Sequence, residues 1–252
     1  MKIFSFESKA RAGEAAAGSI ATVVLEKPNA TLGLATGSSP LETYRALAEM
    51  CREGDVSFAF TDSINLDEYV GLSGEHEQSY ARFMRENLFD HIDIDLGRTN
   101  IPNGLAENPE EECRRYDALL ESIGYADVQL LGIGHNGHIG FNEPADSFAY
   151  GTQLVTLTES TINANARFFE SKDEVPKKAL SMGIDQILKA GKIILLANGK
   201  DKAEIVERAL FGDITPRVPA SALRLAKDVE VYLDREAAAK IIELHPEAIT
   251  VV

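Results

Sequence analysis

Val128-Gln129-Leu130-Leu131-Gly132-Ile133 runs straight into Gly134-His135-Asn136-Gly137-His138-Ile139-Gly140-Phe141-Asn142-Glu143-Pro144. The first six residues are a short apolar run, the pattern of a buried strand. The remainder reads as a loop, in which glycines keep the backbone tight and leave side chains open to a ligand. Outward from this point the same grammar repeats. Apolar runs at 30–35, 192–197 and 229–233 read as strands, and the stretch from Ser57-Phe58-Ala59-Phe60 through Ser63-Ile64-Asn65-Leu66 holds another. Between them, apolar residues recur at helical spacing over 41–50, 110–120 and 202–210. Strand–helix alternation predicts an α/β fold, a Rossmann-like, mostly parallel sheet with helices on both faces. Ligands of such sheets bind at the carboxyl ends of the strands.

The 252 residues show no repeat, low-complexity segment or Pro/Gly/Ser-rich linker, so 1–252 reads as a single domain. Hydrophobic residues make up 44% and charged residues 26%, enough for a sizeable core. The net charge of -15 argues against nucleic acid and anionic membrane surfaces, which select basic patches. A few cations in one pocket would still hold an anionic small molecule. Cys51 and Cys113 make no disulfide framework, and neither a signal peptide nor a bilayer-length apolar run is visible. The expected compartment is the cytoplasm.

Four segments carry chemistry. Gly33-Leu34-Ala35-Thr36-Gly37-Ser38-Ser39-Pro40 closes a strand and opens a helix. Its small residues, hydroxyls and free helix N–H groups suit a phosphate; the plain alternative is a strand-to-helix turn with a Ser cap. It is neither a Walker loop nor a dinucleotide fingerprint. Asn65-Leu66-Asp67-Glu68-Tyr69 comes directly after a strand. Neighbours in an extended segment face opposite ways, so only one of Asp67 and Glu68 can face a pocket; the alternative is two surface loop charges. In the glycine-rich loop, His138 and Glu143 suit proton transfer, the carboxylate orienting the imidazole. A metal pair of His135 and His138 is disfavoured because no further ligand motif accompanies them. Finally, 158–178 is a polar stretch with Asn163, Asn165, Arg167 and a Phe168-Phe169 pair, the makings of a lid over about 158–180. Arg167 could grip a phosphate through two N–H groups. Lys202, in Gly199-Lys200-Asp201-Lys202, puts a cation at a helix start, where the helix dipole opposes it unless an anion binds.

Taken together, Leu34-Ala35-Thr36-Gly37-Ser38-Ser39-Pro40, Asn65-Leu66-Asp67-Glu68-Tyr69-Val70-Gly71-Leu72, Gly137-His138-Ile139-Gly140-Phe141-Asn142-Glu143-Pro144 and Asn165-Ala166-Arg167-Phe168-Phe169 resemble the glucosamine-6-phosphate deaminase family. That family sits in a larger group with 6-phosphogluconolactonases and ribose-5-phosphate isomerases. The resemblance runs over almost the whole chain. It implies conversion of glucosamine 6-phosphate and water to fructose 6-phosphate and ammonia, in amino sugar catabolism, with no cofactor and no metal. It also implies that Asp67 is the base between C2 and C1. His138 would open the pyranose ring, supported by Glu143. Thr36, Gly37, Ser38, Arg167 and Lys202 would hold the phosphate. Asn136 stands where many relatives carry an aspartate in contact with the histidine, which leaves Glu143 to charge and orient His138 largely alone. Allosteric members use basic residues shortly after Asn-Glu-Pro, whereas Ala149-Tyr150-Gly151-Thr152-Gln153-Leu154-Val155 has none. A monomer or small homo-oligomer without that activation is expected. The competing readings are a 6-phosphogluconolactonase, which needs no Asp67 base, and a noncatalytic sugar-phosphate sensor, which would need no acid–base set.

Overall fold

The computed structural model describes residues 1–166 and 169–252, apart from the side chains of Ser160 and Ala164. Its main sheet has eight strands: β1 (Lys2–Phe6), β2 (Thr31–Leu34), β3 (Asp62–Asn65), β5 (Thr99–Asn100), β6 (Val128–Gly132), β9 (Lys192–Ala197), β10 (Val229–Asp234) and β11 (Thr250–Val251). Their order is β11-β1-β10-β9-β6-β2-β3-β5, and every neighbouring pair is parallel. The central strands β6 and β9 are mostly apolar because both faces are covered. Leu130, Ile194 and Leu196 point into one core with α1 (Lys9–Glu26) and α2 (Leu41–Glu53). Leu131, Ile193 and Leu195 point the other way, into a second core with α4 (Pro109–Ile123), α6 (Ile184–Leu188), α7 (Ala203–Phe211) and α8 (Arg235–Leu244). This period-two split places helices on both faces of a single-domain α/β fold.

Local signals explain the element ends. Asn108 caps α4 by accepting from the N–H groups of Glu110 and Glu111, Pro109 opens the helix, and Gly124 closes it in the left-handed region. β1 and α1 were not legible in the sequence. The buried face of α1 is built largely of alanines, Ala12, Ala16 and Ala17 among them, which give a weak periodic signal. The strand expected within 57–66 is present as β3, which begins only at Asp62 and leaves Ser57-Phe58-Ala59-Phe60 outside the sheet. Phe58 is buried as a strand residue would be, but its N–H donates to the Asp93 carboxylate (2.6 Å) instead of a sheet partner.

A second, three-stranded antiparallel sheet was not anticipated. It comprises β4 (Asp67–Tyr69), β8 (Lys178–Ser181) and β7 (Gln153–Thr156), in the order β4-β8-β7. Leu66 alone separates β3 from β4, so the chain leaves the main sheet and enters the small one within one residue. Asp67 pairs with Ser181. The polar segment 158–180 carries structure of its own: α5 (Glu159–Asn165), a 3-10 turn at Lys172–Glu174 and the start of β8.

Candidate active site

The carboxyl ends of β2, β6 and β9 converge on one cleft, with β4 as a side wall and α5 over it. Its empty space, open mouth included, is about 820 Å³. The loop after β2 contributes Ala35 to Ser39, the loop after β6 contributes Gly132 to His135 with His138, Gly140 and Phe141, and Lys202 stands beyond β9.

The β2 loop turns at Gly37, whose φ of +88 is costly for any side chain. Pro40 is the residue at the start of α2, and no side chain caps that helix. The Ser-cap alternative is therefore not what the chain adopts. Thr36, Gly37, Ser38 and Ser39, just ahead of the α2 N-terminus, line the cleft and make a surface suited to an anion. Lys9 Nζ donates to the Ser38 carbonyl (2.9 Å) and Lys202 Nζ to the Ile133 carbonyl (2.9 Å), so two cations flank this end. Arg167, the cation expected beside Lys202, lies outside the described residues, as does Phe168.

The β6 loop is shaped around one imidazole. A Cβ on Gly134 would overlap the His138 ring, so the ring lies against bare backbone. His138 Nδ1 is buried, has no hydrogen-bond partner, and lies 3.7 Å from Glu143 Oε2. Glu143 is held from two other directions. Asn136 Nδ2 donates to Oε2 (2.6 Å), and the Thr161 hydroxyl donates to Oε1. Burial pushes the Glu143 carboxyl up, but His138, Thr161 and Asn136 together outweigh it and hold the group below the usual range. Asn136 touches His138 only through its backbone, its Oδ1 accepting from the His138 N–H (3.2 Å). Glu143 and Asn136 stand behind His138 and do not line the cleft.

Asp67 does line it, and is 6% exposed. Burial, with the Glu68 charge adding to it, pushes its carboxyl up to about 8. Glu68 points away and is buried too, so the reading of two surface charges fails. His135 borders the cleft as well, with its Nε2 2.5 Å from Asp201 Oδ2. Among the described residues, no group of three or more His, Cys, Asp and Glu side chains could hold a metal ion.

Four contributors escaped the sequence reading as site residues. Tyr80, at the start of α3 (Tyr80–Asn87), lines the cleft and stacks on Phe141 with ring centroids 6.0 Å apart. Thr161 and Asn165 line it from α5. The Ser181 hydroxyl accepts from the Phe141 N–H (3.0 Å) and so supports the loop. Only Asn165 carried any signal, through its place in Asn165-Ala166-Arg167-Phe168-Phe169.

Residues 7–232 match the family model described as glucosamine-6-phosphate isomerases/6-phosphogluconolactonase. The chain is 54% identical over 231 residues to the glucosamine-6-phosphate deaminase of Lachnoclostridium phytofermentans, covering 92% of this chain and 98% of that one. It is 50% identical over 238 residues to that of Clostridium perfringens, strain SM101, covering 94% and 98%. A solved structure of a monomeric glucosamine-6-phosphate deaminase superposes with a TM-score of 0.93 at 50% identity, covering 95% of this chain and 100% of that one. With its cleft at the carboxyl edge of the shared sheet, this chain belongs to the family of glucosamine-6-phosphate isomerases and 6-phosphogluconolactonases.

Proposed function

We propose that this protein is a glucosamine-6-phosphate deaminase, which converts glucosamine 6-phosphate and water to fructose 6-phosphate and ammonia. The observation that carries the reading is the buried carboxylate of Asp67, facing a cleft whose other end is built for an anion. Relatives of half-identical sequence bear the same name over nearly their whole length.

Thr36, Gly37, Ser38 and Lys202, with Arg167, hold the phosphate and fix the remote end of the sugar. That binding energy positions C1 and C2 against the acid–base groups. His138 moves the proton that opens the ring, and Glu143 supports its charged form. Asp67 takes the proton from C2, and the electron pair shifts toward C1. Return of the proton to C1 leaves an imine at C2. Water adds there, and ammonia departs as the C2 carbonyl forms. Each step is a proton transfer or an addition, so the residues need no redox partner. The high affinity of Asp67 for a proton fits a base that must pull on a carbon acid.

We also propose that 158–180 acts as the lid over this cleft, that the protein works as a monomer, and that N-acetylglucosamine 6-phosphate does not activate it. The superposed structure of a monomeric deaminase supports the second point. The uncharged stretch at 149–155 supports the third. Among the described residues, no helix is long and apolar enough to cross a membrane. A phosphorylated sugar made inside the cell does not pass a bilayer unaided, which supports a reaction in the cytoplasm.

The test is release of ammonia and fructose 6-phosphate from glucosamine 6-phosphate by wild type and by Asp67→Asn. Stoichiometric release, lost in the variant, is expected. Hydrolysis of 6-phosphogluconolactone without ammonia release from the amino sugar would overturn the reading.

A further inference from the structure

Glu143 reaches His138 across a gap too long for a hydrogen bond, so its aim depends on what else holds it. Both carboxylate oxygens have donors: Asn136 on Oε2, from the same loop, and the Thr161 hydroxyl on Oε1, from α5. Thr161 is buried, 4% exposed, and Thr158 fixes it from below. The Thr158 hydroxyl accepts from the Thr161 N–H (3.3 Å) and lies 3.2 Å from the Thr161 Oγ1. At the other end of α5, Asn165 Nδ2 donates to the Tyr69 hydroxyl (2.8 Å). The helix is thus pinned to Glu143 by one end and to β4 by the other.

We propose that Thr161 is a positioning residue for His138, acting through Glu143. This rests on the deaminase reading above. With Oε1 held by Thr161, the carboxylate plane cannot rotate, and Oε2 stays directed at the unpartnered Nδ1. The same hydroxyl favours the charged carboxylate, because the bond it donates is stronger to an ionised oxygen than to a neutral carboxyl. Among the described residues, His138 is the one titratable group facing Glu143; the other groups that act on it, Thr161 and Asn136, are neutral donors. The position of α5 and the protonation of the ring-opening histidine are thereby linked through one hydroxyl.

The test uses Thr161→Val, which keeps the shape and removes the hydroxyl, beside Thr161→Ser, which keeps the hydroxyl. In Val, kcat falls about tenfold while KM changes less than about twofold, because the lost contact is to the catalytic pair and not to substrate. The titration profile of the Glu143 carboxyl moves to higher pH, since Glu143 loses a donor to its charged form, while the pH–rate profile stays where Asp67 sets it. Thr161→Ser restores both kcat and the titration. An unchanged kcat and titration in Val would overturn the proposal. So would equal losses in Val and Ser with no shift of the titration, the mark of a merely structural role. The titration of Glu143, followed by carboxyl carbon NMR of the unliganded proteins, reads the shift without turnover. If wild type releases no ammonia, the deaminase reading falls, and an unmoved Glu143 titration in Val separately sinks the role of Thr161.

Discussion

Asp67 and Glu68 are adjacent on β4, and their carboxylates serve opposite sides of the strand. Asp67 faces the cleft. Glu68 accepts from the N–H groups of Tyr69 (2.8 Å) and Tyr80 (3.0 Å) through Oε1, and of Ala81 (2.9 Å) through Oε2. It therefore ties the first turn of α3 to the back of the strand that carries the proposed base, and Tyr80 arrives at the cleft wall by that tie.

Burying the proposed base, Asp67, comes at the expense of the fold. Its carboxyl has an ordinary value of 3.8 and sits at about 8 in the folded protein, so folding takes up a proton between those limits. Stability from this group is present below pH 4 and is lost as pH rises through 8. Asp67→Asn, which cannot ionise, should melt above wild type at pH 8 by about 3 °C or more. The two melting curves should converge toward pH 4. A variant less stable than wild type at pH 8 would contradict this account.

The same value sets a kinetic expectation. An ionised base is required, so kcat/KM of the wild type should rise with pH, half-maximal near 8. Removing the neighbouring charge in Glu68→Gln lowers the cost of ionising Asp67 and moves that rise to lower pH. The variant should also lose about 1–3 kcal/mol of stability, because an amide nitrogen meets a backbone N–H donor where a carboxylate oxygen stood. Urea titration and a pH–rate series on one preparation check both effects.

Gly134→Ala tests the seat of the imidazole. The new methyl would occupy the space of the His138 ring, which must swing away from its position beside Glu143. Activity should fall by about 100-fold or more, the usual effect of misplacing a catalytic group by roughly 1 Å. Circular dichroism should show the fold intact.

Glu230 offers a prediction remote from the cleft. Burial alone would raise its carboxyl, but donors from Tyr232 (2.8 Å), Ser19 (2.9 Å) and Lys2 (3.2 Å), with the charge of Lys192, pull it down to about 2. Its stabilising effect is complete above its ordinary value of 4.5 and is lost as pH falls toward 2. Glu230→Gln should cost about 1–3 kcal/mol at pH 7. Chemical denaturation should show the gap to wild type narrowing between pH 5 and pH 3.

Much of this site could be read from residues alone because its parts lie in short continuous segments. Gly132 to Glu143 supplies both members of the His138 pair and the glycine that seats the ring. Thr36 to Ser38 supplies the proposed anion loop in three residues. Period-two alternation likewise announced that only one of Asp67 and Glu68 could face a pocket. Which one, and what the other would do, depended on α3, whose first N–H groups fold back onto Glu68 from 12 and 13 residues on.

By itself, then, the sequence determined the layered sheet, since short apolar runs alternating with amphipathic helices have few other ways to hide both faces. It also determined the two loops at the carboxyl edge, whose glycines and hydroxyls act locally. Tertiary structure alone decided the rest. The β4-β8-β7 sheet joins Asp67 to Ser181, distant in the chain, and no local pattern encodes such pairing. The Thr161 contact with Glu143 likewise spans from α5 to the glycine loop. The raised proton affinity of Asp67 is a consequence of burial, and burial is a property of the packed chain, because water is removed from a carboxylate only when separate segments close around it.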